Sequence, residues 1–335
     1  MQTFDNFRVY EWSEISELFD QVDLFLGNGF SISISPRFNY RSLFNKFLNY
    51  CTRREQVIFR TFNSTNFEAI QEQLQLTIET NTIFRIDSRQ IRRISRKLQQ
   101  GLVQSVTELH PSHTALQPTR LGRICRELDQ FSNIFTTNYD NFLYHIILNN
   151  NERCRERDVR RFQDFFRRRS GYLRFRPNQN SSYRNIYYLH GALFLIKDPE
   201  TPHRIIKLEK GEGSDLLEVI KYEISDSNIP IFVSEGSSTR KIQTIEGNSY
   251  LEFCRNAFEK SQNDIVFYGF SFSRHDEHWV NILNASASGK KLAIAIHLEG
   301  KEHNEVVSLI REILTRLPNY RARNIKFFDS STLFQ

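Results

Sequence analysis

Six short apolar runs recur along the chain, each ending in polar residues or glycine. Residues 22–29 read Val-Asp-Leu-Phe-Leu-Gly-Asn-Gly, a buried strand running into a glycine turn. Residues 133–140, 185–191 and 264–271 repeat the form: apolar run, then a polar tip. Residues 291–297 and 324–329 complete the set. Continuous apolar runs of this length suit strands buried on both faces of a parallel sheet. In an open parallel sheet, ligands bind beyond the carboxyl ends of the strands. The polar tips are therefore the first place to look for chemistry.

Between the first two runs the period changes from strand to helix. Phe67, Ile70, Leu74 and Ile78 recur at helical spacing behind the cap residues Ser64, Thr65 and Asn66. Ile91, Ile94, Leu98 and Leu102 mark a second amphipathic helix, with Arg85, Arg89, Arg92 and Arg96 on its other face. So long a stretch exceeds what a crossover helix needs. It predicts a helical subdomain over residues 40–130, inserted into the sheet topology. Val306, Ile310, Ile313 and Leu317 predict a further helix over residues 304–317. The expected fold class is α/β: a Rossmann-like parallel sheet with an inserted helical subdomain, in one domain spanning residues 1–335.

Charge adds a second insertion. The chain of 335 residues carries a formal net charge of +6. The ten arginines from Arg153 to Arg176 face only Glu156, Asp158 and Asp164, so this segment holds more positive charge than the whole chain nets. Within it Arg160, Arg161, Arg167 and Arg168 alternate with Phe162, Phe165 and Phe166. That pattern predicts an amphipathic helix with packed aromatics and a wet basic face, in an arginine-rich insertion over residues 150–180. An ordinary solvated face, a subunit interface and a nucleic-acid or other acidic ligand are the readings open to it.

Cys51, Cys125, Cys154 and Cys254 form no CxxC pair, so neither a zinc ribbon nor a disulfide framework is expected. No apolar run approaches the roughly 18 residues of a membrane helix, and the first ten residues lack a signal-peptide core. The expectation is a cytoplasmic chain with reduced thiols and no membrane partner.

The polar tips carry specific residue types. Gly27-Asn28-Gly29-Phe30-Ser31 follows the first strand. Such glycines let backbone amides approach a phosphate at a helix start, although a tight turn also explains them. Ile32 stands where the third glycine of a dehydrogenase fingerprint would be, and no acidic residue lies about 20 residues on. At the next two tips stand Thr136-Thr137-Asn138-Tyr139-Asp140 and His190-Gly191. Asn138 can donate and accept, which suits a water or a ribose hydroxyl. Asp140 can accept from a carboxamide. His190 can exchange a proton near neutral pH, or serve as a structural histidine. Two histidines three apart in His275-Asp276-Glu277-His278 supply only part of a metal shell, so no metal is expected. Lys241 follows a Gly/Ser loop at residues 235–238 and reads as a solvated lysine, or one that reaches a phosphate.

In order along the chain, GNGFS, TTNYD, HG and GFS resemble the sirtuin motifs GAGxS, TQNxD, HG and GTS. The resemblance is closer to the bacterial sirtuin-like group, where TTNYD is common and GFS precedes a D-E-H run, as in residues 271–278. Residues 27–47 and 232–250 also look like an uncharacterised bacterial family in that group. The resemblance spans Leu24 to about Trp279, carried by short islands. It implies a Rossmann-like domain that holds NAD as its substrate. On that implication Gly27, Gly29 and Ser31 hold phosphates. Asn28, Phe30, Thr136, Thr137 and Gly191 flank the ligand, and Gly269 and Ser271 meet the adenosine side. Asn138 positions the nicotinamide ribose or the attacking water, Asp140 the carboxamide, and His190 is the general base.

The departures matter too. The four zinc cysteines that follow HG in sirtuin deacetylases are missing, with only Cys254 in that region. Ser35-Pro36-Arg37-Phe38 is a faint echo of GIPDFR. Acyl-lysine removal is not expected. Bacterial relatives lacking these parts are commonly NAD-degrading antiphage effectors. The resemblance thus implies an NAD glycohydrolase in such a setting, acting as a homo-oligomer or with a partner defence protein. The alternatives are a non-catalytic NAD or ADP-ribose sensor, an ADP-ribosyltransferase, and a nucleic-acid-binding regulator led by the arginine segment.

Overall fold

A computed structural model describes residues 1–334 except 66, 112–116, 154–160, 170, 179–181, 199–200, 202–203, 210–214, 226–229, 234–237 and 288. All six apolar runs form strands, and all six lie in one sheet. In chain order the strands are β1 (Gln2–Phe4), β2 (Phe7–Tyr10), β3 (Val22–Leu26), β4 (Asn133–Thr136), β5 (Phe162–Gln163), β6 (Phe166–Arg169), β7 (Tyr172–Phe175), β8 (Arg184–Tyr188), β9 (Leu195–Lys197), β10 (Ile205–Lys207), β11 (Asp264–Tyr268), β12 (Leu292–Ile296) and β13 (Ile325–Asp329). The main sheet runs β1-β2-β13-β12-β11-β3-β4-β8-β5. Its pairings are parallel apart from the β1–β2 hairpin.

The strand order reverses at β3. From there the chain steps outward through β4 and β8 on one side, and through β11, β12 and β13 on the other. Two loops leaving adjacent strands in opposite directions open a crevice, which is where such sheets take ligands. Every residue of β3 is buried, so the crevice stands on a rigid floor.

The helices are α1 (Trp12–Ile15), α2 (Asn28–Ile34), α3 (Tyr40–Phe47), α4 (Arg53–Thr61), α5 (Phe67–Ile83), α6 (Arg89–Leu109), α7 (Pro118–Leu128), α8 (Phe142–Arg153), α9 (Leu216–Ser225), α10 (Ser238–Glu246), α11 (Ser249–Lys260), α12 (Glu277–Ala285) and α13 (His303–Arg316). Helices α3 to α7 fill the expected helical stretch between β3 and β4. Phe67, Ile70, Leu74 and Ile78 of α5 are buried, as are Leu98 and Leu102 of α6. A capping box starts α4: the Thr52 side chain accepts from the Glu55 N–H, and the Glu55 carboxylate accepts from the Thr52 N–H at 2.6 Å. The fold is thus α/β with a large, mostly parallel sheet. Among the described residues no helix is long and apolar enough to cross a membrane.

The arginine-rich segment corrects the sequence reading. Its described part holds no amphipathic helix; it forms β5, β6 and β7. Strand β5 is an edge of the main sheet, and β6 and β7 join β10 and β9 in a second, four-stranded antiparallel sheet. Phe162, Phe165 and Phe166 are buried, so the aromatics do pack. The basic face is not uniformly wet: Arg174 is buried and its Nε donates to Asp198 at 2.8 Å. Arg168 pairs with Glu209 near the surface. Arg155, Arg157 and Arg160 lie outside the described residues, as do residues 235–237 of the Gly/Ser loop.

Candidate active site

A cavity of about 280 Å³ opens at the switch point, just below the roughly 300–1,000 Å³ typical of small-molecule sites. It is lined by Gly27, Asn28 and Gly29 after β3, by Thr137, Asn138 and Asp140 after β4, by His190 after β8, and by Gly269 and Ser271 after β11. Four separate chain segments are brought together by parallel pairing alone.

Four of the sequence candidates lie behind that lining. Phe30 is a core residue, its ring edge-on to Tyr268 and Phe334. Thr136 is buried, and its hydroxyl accepts from the Asn138 N–H at 3.0 Å. Gly191 turns the chain with φ +75, and a Cβ there would lie 2.1 Å from the Ile231 carbonyl oxygen. Ser31 is buried between two functional candidates. Each of the four neighbours a lining residue in sequence, but Gly191 lies in the turn after β8, and strand and helix periodicity turns Phe30, Ser31 and Thr136 inward.

Ser31 organises the polar core of the site. Asn138 Nδ2 donates to Ser31 Oγ at 2.9 Å and to the Gly27 carbonyl at 2.9 Å. Ser31 Oγ in turn donates to Asp140 Oδ2, and Asp140 Oδ1 accepts from the Phe142 N–H at 2.9 Å. Both amide hydrogens of Asn138 are therefore committed, which leaves Oδ1 as the acceptor it can offer a ligand. Burial pushes the Asp140 carboxyl from its ordinary 3.8 up to about 6, against the lowering effect of the Ser31 and Phe142 hydrogen bonds.

That shift has a measurable consequence. A carboxyl whose folded value lies above its unfolded one favours folding only while protonated. Stability should fall as pH rises from about 4 to about 6 and then level off. Asp140→Asn removes the ionisable group but keeps an acceptor for the Phe142 N–H. Above pH 7 it should gain on the order of 3 kcal/mol over the parent, at about 1.4 kcal/mol per pKa unit, and nothing near pH 3.5. Urea melts across pH read this directly; an equal effect at both ends would refute the assignment.

The glycine loop packs more tightly than a phosphate loop requires. The Gly27 N–H donates to the Tyr268 carbonyl at 3.0 Å and the Gly29 N–H to the Gly269 carbonyl at 2.9 Å. A Cβ on Gly27 would lie 2.5 Å from Gly269 O, and one on Gly29 2.5 Å from Gly269 Cα. What these glycines supply is the close approach of the β3 and β11 loops.

Behind His190 stands a polar cluster that the sequence showed only in pieces. His190 Nε2 accepts from the Trp279 indole N–H at 3.0 Å and lies 3.5 Å from His278 Nε2. Asp276, which lines the cavity, accepts from Lys241 Nζ at 3.0 Å. Lys241 is 1% exposed, so it is not a solvated lysine. Burial, then the Lys241 charge, hold His190 well below its ordinary range. His278 falls to about 3, chiefly by burial.

His190, Asp276 and His278 place one ligand-type atom each within 4.8 Å of one another. The donors around them do not suit a cation. The Lys241 ammonium already sits on Asp276, and the indole N–H occupies the His190 lone pair that would bind metal. The cluster is built around proton donors.

The other wall was not foreseen. Phe38, Leu43 and Phe67 join Leu102 and Val106 of α6 to line the cavity from the helical layer. At helical spacing such residues read as core, and only the tertiary structure shows that they face the cavity.

An apolar wall opposite a polar sheet edge makes this cavity, at the switch point of an α/β sheet, the candidate ligand site. Residues 24–333 match the family described as Domain of unknown function (DUF4917), and the chain belongs to that family. No curated protein matches it.

Proposed function

We propose that the protein is an NAD glycohydrolase. In the reaction the bond between ribose C1′ and the nicotinamide nitrogen breaks, and nicotinamide leaves with the electron pair. A water oxygen bonds to C1′ and releases a proton, giving nicotinamide, ADP-ribose and H⁺. One observation carries this reading. Asn138, Asp140 and His190, to which the sirtuin-like resemblance gives the chemistry, line the same cavity as the glycine loop and Gly269–Ser271. The oxocarbenium-like transition state asks for fixed dipoles and excluded water more than for a strong nucleophile. Asn138 is such a dipole, since both its N–H groups are anchored. The apolar helical wall keeps bulk water from the reacting carbon. The cavity suits the nicotinamide–ribosyl end, with the rest of the dinucleotide running out along the Gly269–Ser271 edge. By the same resemblance the biological setting is antiphage defence.

Purified protein incubated with NAD should release nicotinamide and ADP-ribose in equal amounts, followed by chromatography. Calorimetry with ADP-ribose should show binding in the same preparation. Binding without release would favour the sensor reading, and transfer of label from adenine-labelled NAD to protein or nucleic acid the transferase one. Neither binding nor release would remove the NAD reading altogether.

A further inference from the structure

The partners of His190 leave its ring one neutral tautomer. An indole nitrogen carries a hydrogen and has no lone pair with which to accept. With Trp279 Nε1 3.0 Å from His190 Nε2, that nitrogen must be the acceptor. The proton of the neutral ring then resides on Nδ1.

The indole is not free to swing away. Trp279 is fully buried, with its ring edge-on to Phe258 and Phe25. The charges facing His190 also keep it neutral. Lys241 comes from α10 and Asp276 from the turn before α12. His278 lies on α12 itself, and Arg255 acts on His278 from α11. Asp276 Oδ1, 4.0 Å from His190 Nε2, is answered by Lys241 at 3.0 Å and does not stand as a lone negative charge.

We propose that His190 serves the cavity as a neutral hydrogen-bond donor through Nδ1–H, that Trp279 is the positioning residue fixing this tautomer, and that the ligand group met there is an acceptor oxygen. This revises the general-base role implied by the resemblance. At Nε2 the ring takes a proton only by breaking the indole bond, and at Nδ1 it already holds one. Naming the oxygen as one of the nicotinamide ribosyl half rests on the NAD reading; the tautomer does not.

Two experiments separate the parts. In the full-length protein labelled with ¹⁵N-histidine, long-range ¹H–¹⁵N spectra read the tautomer of each ring, with His190→Gln assigning the signal. The expected result is an Nδ1–H tautomer for His190, unchanged between pH 5.5 and 8.5, that Trp279→Phe no longer holds. An Nε2–H tautomer, or an imidazolium appearing near pH 6.5, overturns the proposal whatever the ligand is. The second experiment compares His190→Asn with His190→Ala in ADP-ribose affinity and nicotinamide release, per folded molecule. Asn places an N–H₂ near the Nδ1 position. A donor role predicts that Asn stays within ~10-fold of the parent while Ala falls ~100-fold, the scale on which a lost preorganised donor acts. Equal losses in both would return His190 to a base and end the donor proposal. A correct tautomer in a protein indifferent to NAD would instead end the glycohydrolase reading alone.

Discussion

Asn138→Ala should lower nicotinamide release at least ~100-fold and leave the protein folded, on the scale expected for removing one preorganising group from a dry site. The anchoring of the side chain explains both halves of that expectation. Its two N–H bonds, to Gly27 O and Ser31 Oγ, fix Oδ1 as a stationary acceptor. A water or ribose hydroxyl bound to it meets no reorganisation at the moment the C–N bond breaks. Truncation removes those bonds but orphans neither partner. Gly27 O still accepts from the Phe30 N–H at 3.0 Å, and Ser31 Oγ still donates to Asp140. The stability cost should therefore stay near ~1 kcal/mol per lost bond, a few degrees of melting temperature at this chain length. Asn138→Asp should fail as fully as Ala. A carboxylate there has no hydrogen for Gly27 O and adds a negative charge beside Asp140. Release rates measured with thermal melts check the prediction. A well-folded Asn138→Ala protein turning over at the parental rate would remove Asn138 from the chemistry.

The sheet was legible because its strands are buried on both faces. Val22–Leu26 and Leu292–Ile296 are almost wholly apolar, and a run of that kind with a polar tip has few other uses. The second sheet was not. Its strands are three or four residues long, too short for period two to stand out from period 3.6. In Phe166–Arg169 three arginines follow one buried phenylalanine, a pattern that an amphipathic helix would also show. The edge strand β1 and its neighbour β2 went unread for the same reason of length. At the site, strand ends identified Asn138, Asp140 and His190, since parallel pairing must bring them to one edge. Nothing local marked the apolar wall of Phe38, Leu43, Phe67, Leu102 and Val106. The same holds for Trp279, whose indole sets the state of a histidine 89 positions away. Lys241 misled most: a lysine beside a Gly/Ser loop is ordinarily solvated, and its pairing with Asp276, 35 positions along the chain, has no local mark.

Gly269→Ala should be the most destructive small substitution near the site, and Gly289→Ala shows why. Both glycines sit in left-handed backbone, at φ +69 and +83. Each substitution therefore carries the left-handed penalty of about 1–2 kcal/mol. Around Gly289 a new Cβ meets nothing within 4 Å, so the cost should end there. At Gly269 the Cβ would fall 2.5 Å from the Phe30 nitrogen and 2.6 Å from Gly29 Cα. Those are backbone atoms of the neighbouring loop, which no rotamer change can move. The β3 and β11 loops would have to separate, stretching the Gly29-to-Gly269 bond of 2.9 Å and the Gly27-to-Tyr268 bond of 3.0 Å. Each buried group left unpaired adds roughly 1–3 kcal/mol. The sum is on the order of 5 kcal/mol, comparable with the whole stability of about 5–15 kcal/mol of an ordinary domain. Urea unfolding of the two variants beside the parent separates backbone strain from the forced loop separation. Gly289→Ala should lose about 1–2 kcal/mol, whereas Gly269→Ala should melt several times further or fail to accumulate folded. Equal, mild losses would mean that the two loops are not sealed against each other. The GNG and GFS glycines would then have to be explained by what they leave open to a ligand.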